Sequence, residues 1–240
     1  MNQEKINSVL FDATNDADLT VAEIPSLDLY LEQIIRLISD KTEQGSPIFA
    51  DRVPTKTMVN NYSKAELIAP LKGKTYNKEQ IIQILLTNSL KNTLSIAEIK
   101  SIMDCIYKNE ATATDNLFRL YEQYIDVKKT NRQLAVNDAE SLIEKGNLSG
   151  NDPLDTISLI LALSSLADYF KCMSKALLKE AVDEILPTED LTDKLPEEDK
   201  KAAKKARKAA EKAAKKAAES AENFTEESLI ENNFDDRIEE

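Results

Sequence analysis

Apolar residues recur along this chain at the three- and four-residue steps of a helix that buries one face. Leu27, Leu31, Ile34, Ile35 and Ile38 follow that period behind Ser26, a favourable N-cap. They predict a first helix ending near Gly45-Ser46-Pro47. Pro54 and Thr55 open a second helix running to about Ala65, with Met58, Val59 and Tyr62 turned inward and Lys56, Asn60, Asn61 and Lys64 outward. The stretch Pro70–Tyr76 then has room for a short β-ribbon turning at Gly73. Asn77 with Gln80, and Ser95 with Glu98, have the spacing of capping boxes. The first opens a helix that buries Ile81, Ile84, Leu85 and Leu86, the second a helix through Ile99, Ile102 and Ile106.

The same period continues downstream. Leu117, Leu120, Tyr121, Tyr124 and Ile125 line one side of a segment that starts at Thr114, and a shorter helix is expected over Ala135–Lys145, closed by Gly146. Asn151-Asp152-Pro153 is a helix start, with proline tolerated at the first position. No breaker follows until Ile185, which predicts a helix of about 33 residues and roughly 50 Å. Within it Leu159, Leu163, Leu166, Phe170, Met173 and Leu177 alternate in steps of four and three, the seam of a coiled coil or bundle. Beyond Pro187 the character changes. Lys200–Ala218 is alanine and lysine apart from Arg207 and Glu211, and Glu219–Glu240 carries nine acids and one arginine. These blocks read as a low-complexity tail.

Composition narrows the chemistry. Four glycines in 240 residues are too few for a fold built on tight turns, so the chain reads as mainly α. Histidine is absent, which removes the commonest general base and the commonest zinc ligand, and two cysteines alone do not complete a zinc site. Gly45, Gly73, Gly146 and Gly150 form neither a dinucleotide fingerprint nor a phosphate loop. Neither a catalytic constellation nor a cofactor is expected. Cys105 and Cys172 lie in apolar helical stretches and read as buried free thiols of a cytoplasmic protein. The N-terminus lacks an apolar run suited to a signal peptide, and no membrane span is expected.

The net charge of −12 argues against nucleic acid until its distribution is read. From Ala50 to Ile82 six cations face three anions, whereas Met1–Pro25 carries one lysine and five acids. A basic island on an acidic chain fits a small DNA-reading module. The order helix, helix, small wing, helix, helix is that of a winged helix-turn-helix. The expected organisation is an acidic extension over 1–23, the winged domain over 24–110, a helical bundle with a share in dimerisation over 111–187, and the charged tail over 188–240.

The run Thr55-Lys-Thr-Met-Val-Asn-Asn-Tyr-Ser-Lys-Ala-Glu-Leu-Ile-Ala-Pro70 resembles the MerR-type winged helix, as do Tyr76–Ile81 and Leu94–Ile99. More closely, Ile24–Tyr30, Thr57–Tyr62 and Lys74–Asn77 are similar to a bacterial domain-of-unknown-function family, number eighteen thirty-six, over roughly Ile24–Tyr107. Two features depart from the MerR pattern. The connection over Glu43–Val53 is long for a helix-turn-helix, and asparagine replaces the arginine that precedes the tyrosines of the recognition helix.

The resemblance implies a transcription regulator that binds double-stranded DNA, pairs into a homodimer through a helix after the winged domain, and contacts RNA polymerase. On that reading Asn60 and Asn61 reach base edges, where asparagine pairs with adenine. Lys56, Lys64, Lys72 and Lys74 meet phosphates. Thr57 lies among them, and Tyr62 and Tyr76 serve either core or contact. The competing expectation is a protein-interaction adaptor that docks through Phe224, Leu229, Ile230 and Phe234 of the tail.

Overall fold

A computed structural model describes residues 3–148 and 152–187 of the chain. The protein is mainly α-helical: α1 (Gln3–Thr14), α2 (Leu31–Thr42), α3 (Lys56–Lys64), α4 (Lys78–Leu90), α5 (Ile96–Tyr107), α6 (Ala113–Lys145) and α7 (Pro153–Ile185). The expected Ala/Lys helix, the acidic tail and the docking segment at Phe224–Phe234 lie outside the described residues. So do Gly150 and Asn151, whereas Asp152 starts α7 by accepting the Leu154 N–H at 2.9 Å.

α4 occupies the centre. Every residue from Gln80 to Thr87 is buried, and the helix packs against α3 and α6. A helix covered on all sides needs no amphipathic stripe, which is why its apolar residues run consecutively. Around it gather Ile34 and Ile38 of α2, Val59 and Tyr62 of α3, Ile99 and Met103 of α5, and Leu117, Tyr121 and Ile125 of α6. Both predicted capping boxes are present. Asn77 accepts the Gln80 N–H at 2.9 Å, and Ser95 accepts that of Glu98 at 3.3 Å.

Three local expectations change. First, α2 begins at Leu31, not behind Ser26. Leu29–Tyr30 (β1) is extended and pairs antiparallel with Thr75–Tyr76 (β2), and Leu27 is 79 % exposed. The Tyr30 N–H is satisfied by Gln33 Oε1 at 2.8 Å, so a strand partner 45 residues away displaces the local cap. Second, Pro70–Tyr76 does not pair with itself. Pro70 has no N–H to donate, Gly73 turns the chain at φ +102°, and β2 finds its partner in β1 instead. Third, the two helices expected over Thr114–Lys145 are one helix of 33 residues. No glycine or proline interrupts Asp126–Leu134, and the left-handed residue that ends the helix is Asn147, at φ +50°.

The acidic N-terminal stretch is fastened to α6. Asp16 and Asp18 together receive Lys128 and Arg132, Asp16 also receives Arg52, and the Tyr121 hydroxyl donates to the Leu19 carbonyl at 2.7 Å. Gly45 permits this approach, because the Ser46 N–H donates to the Asn15 carbonyl at 2.7 Å and a Cβ on Gly45 would lie 2.7 Å from that same oxygen. The three nearest atoms, from Asn15, Asp16 and Ala17, are all backbone and cannot swing aside. Gly45→Ala is therefore expected to cost about 1–3 kcal/mol, read as a lower midpoint in urea at unchanged slope.

Candidate nucleic-acid interface

α3 is short and strongly sided. Thr55 caps it by accepting the Met58 N–H at 3.2 Å, and Val59 and Tyr62 are buried beneath it. Its outer face carries Lys56, Thr57, Asn60, Asn61 and Lys64, all exposed. The helix ends in a Schellman turn: the Leu67 N–H reaches the Tyr62 carbonyl at 3.0 Å, and the Glu66 N–H that of Ser63 at 3.1 Å. Glu66 takes the left-handed conformation this requires, at φ +56°, and buried Leu67 locks the turn against the core.

The segment after α3 is held by two glutamines. Gln83 Oε1 accepts the Ala69 N–H at 2.8 Å, and Gln80 Nε2 donates to the carbonyls of Ala69 and Pro70, both at 3.1 Å. Gln83 in turn donates to the Tyr107 hydroxyl, which donates to Glu79 at 2.6 Å. Burial first, then the Glu79 carboxylate, raises the Tyr107 phenol far above its ordinary range, so it remains a donor. Both glutamines are buried, and their hydrogen bonds fix where the exposed loop Leu71–Lys74 leaves the body. Sequence reading missed this role. The available signal was two amides on a helix otherwise apolar from Gln80 to Leu86.

The eight candidate residues do not share one environment. Asn60, Asn61, Thr57 and Lys64 are exposed on α3, and their side chains hold no hydrogen bond or ion pair among the described residues. Lys72 and Lys74 are exposed on the loop and likewise unpaired there. Lys56 is bound to Glu32 of α2 at 2.6 Å, and that hydrogen bond holds the Glu32 carboxyl below its usual range. Tyr76 is 4 % exposed, and burial raises its phenol. Its ring belongs to the core, because the β1–β2 pairing turns it inward, and it does not join the exposed set. Tyr62 is buried as well.

A concavity of about 350 Å³ opens between α2, α4 and α6. Its charged walls, Asp16, Asp18, Lys41, Arg52 and Lys128, are paired with one another or with Glu23 and Arg132. Among the described residues no three His, Cys, Asp or Glu side chains are grouped to hold a metal ion. Cys105 and Cys172 are free, but neither is the buried thiol expected: Cys105 is half-buried and Cys172 exposed.

No curated protein and no solved structure matches the chain. Residues 19–124, which build α3, the loop after it and the core beneath them, match the family described as Domain of unknown function (DUF1836).

Proposed function

We propose that this chain is a sequence-specific double-stranded DNA-binding regulator of transcription. In this reading the fold over 24–110 is a winged helix-turn-helix of MerR-like type, with α3 in the major groove and Leu71–Tyr76 as its wing. One observation carries the reading. The outer face of α3 offers two adjacent amides, Asn60 and Asn61, and no partner within the described residues uses them. Asparagine can bond adenine N6 and N7 together, and a nine-residue helix is short enough to enter the groove end-on. Lys64 on the same helix, and Lys72 and Lys74 on the loop after it, are exposed cations without a partner among the described residues, suited to phosphates. Lys56 would have to exchange Glu32 for a phosphate, so its contribution is smaller. The protein would act in the cytoplasm as a homodimer, with RNA polymerase as a further contact.

The test selects bound fragments from genomic DNA and then measures fluorescence anisotropy on the enriched duplex and a scrambled one. Asn61→Ala is expected to cost about 1–3 kcal/mol on the enriched duplex and little on the scrambled one. Lys72→Ala combined with Lys74→Ala weakens both, and lowers the log–log salt slope by about two. A flat fragment profile, with both variants behaving like the parent, replaces this reading with the protein-interaction adaptor.

A further inference from the structure

From Thr156 to Ala167, α7 carries no charged residue on any side. Eight of those twelve residues are apolar, and a helix segment with apolar side chains on several sides and no charge belongs in an interior. Yet in the single chain Leu159 is its only buried residue. On the first half Leu154, Ile157, Ile160 and Leu161 are 51–65 % exposed. On the second half Tyr169, Phe170, Met173 and Leu177 are 52–71 % exposed.

These side chains do not form one stripe. At 100° per residue, Phe170, Met173 and Leu177 project on the same side as Leu159, whereas Leu154, Ile157 and Leu161 project on the opposite side. The two halves therefore need cover from different directions, and one added helix cannot supply it. The preceding helix has a free stripe too. Leu120, Val127 and Leu134 of α6 recur every seven residues at 38–56 % exposure, and the neighbouring Gln123, Thr130 and Asn131 are uncharged, with exposed Asp138 ending the stripe. Charge depletion of that kind marks the centre of an interface rather than a solvated surface.

We propose that a second copy of this chain covers these faces, the α6–α7 hairpins of two chains packing together as a four-helix bundle. Area supports a second copy. Eight large apolar side chains left more than half exposed on α7, at roughly 100 Å² apiece, amount to about 800 Å², which is one partner's share of a standard interface. Geometry supports it as well, since both helices are 33 residues long and each carries free apolar positions at bundle spacing. In an isologous pair the same hairpin supplies both sides of the contact.

A bilayer fits the same helix less well. α7 is long enough to cross one, with a mean hydropathy of 1.3 over its most apolar window. Its charge-free stretch, however, is twelve residues, roughly 18 Å against about 30 Å of hydrocarbon. Asp168 and Lys171 follow directly, and Lys175 is bound to Glu98 of α5 at 2.9 Å.

The proposal does not depend on what α3 binds. Sedimentation equilibrium of the full chain should give twice its 26.9 kDa mass, and Leu161→Glu or Met173→Glu should halve that mass at unchanged helix content, with a lower thermal transition that no longer depends on protein concentration. Both side chains are more than half exposed, so neither change removes core contacts of the single chain. Should the variants not fold, spin labels on exposed Cys172 in a Cys105→Ser background provide the second reading. A defined inter-chain distance supports the bundle, and its absence overturns it. A monomeric parent at high micromolar concentration overturns it, as do dimeric variants. So does flotation of the parent with phosphatidylethanolamine–phosphatidylglycerol vesicles, the outcome expected of a membrane helix.

Discussion

Asp16→Ala is expected to destabilise the protein by about 2–3 kcal/mol and to loosen the N-terminal segment from α6. The Asp16 side chain is 9 % exposed and receives Lys128, Arg132 and Arg52. Removing it leaves Asp18 alone to balance two largely covered cations, Lys128 at 18 % and Arg132 at 27 % exposure, and takes the carboxylate from Arg52. A fully buried pair broken in this way costs about 3–5 kcal/mol, and residual water contact lowers the figure.

The same network predicts a pH dependence. Burial alone would raise the Asp16 carboxyl, but the Lys128 and Arg132 hydrogen bonds outweigh it and hold the group below its usual value. Glu23 is held at about 2 by Lys41 and the Thr20 N–H. Both carboxylates are depressed in the folded state, so their contribution is complete above the ordinary carboxylate range. It is lost as pH falls below about 4 towards the folded values. Urea midpoints should be level near neutrality and drop steeply between about pH 4 and pH 2. Asp16→Asn should drop less steeply there. A variant as stable as the parent at pH 7 would show that the ion network does not hold this segment.

Leu117→Ala is expected to cost about 3 kcal/mol, within the range for a leucine removed from a core that cannot collapse. Leu117 is 0 % exposed and joins α6 to the cluster built by α2, α3, α4 and α5. Leu120, three residues on, is 38 % exposed, and Leu120→Ala should cost less than about 1 kcal/mol in the single-chain unfolding step. Differential scanning calorimetry should show one transition for the parent body and one, shifted down, for Leu117→Ala. Two resolved transitions, with only the later one displaced, would mean that α6 unfolds apart from the helices before it.

Much of the architecture was legible because its signals are local. Asn77 with Gln80 and Ser95 with Glu98 satisfy backbone donors within one turn, so their spacing alone locates the starts of α4 and α5. The sided pattern of α3, Val59 and Tyr62 against Asn60 and Asn61, follows from helical geometry. α7 runs from Pro153 to Ile185 as its uninterrupted pattern requires.

The candidate surface was legible only in part. Side chains such as Lys64 and Lys72 are exposed by position, but the residues that aim them act through distant contacts. Gln80 and Gln83 grip the loop 10–14 residues upstream, and Glu32 takes hold of Lys56 across 24 positions. Tyr76 could have lain on either side of a two-residue strand. Its burial followed from which partner the strand found.

By itself, then, the sequence determined where α3 to α7 begin and which face of α3 avoids the core, whereas the helix α1 was not expected. Each of these depends on groups within about two turns of one another. Tertiary structure decided what remained ambiguous locally. It drew Leu29–Tyr30 out of a plausible helix and into pairing with Thr75–Tyr76, a contact that helical periodicity does not encode. It fastened Asp16 and Asp18, in the acidic stretch before α2, to Lys128 and Arg132 more than 100 positions away. It also left α7 with more apolar surface than one chain covers. Periodicity records that a side chain prefers to leave water; only the packed structure shows whether the same chain provides the cover.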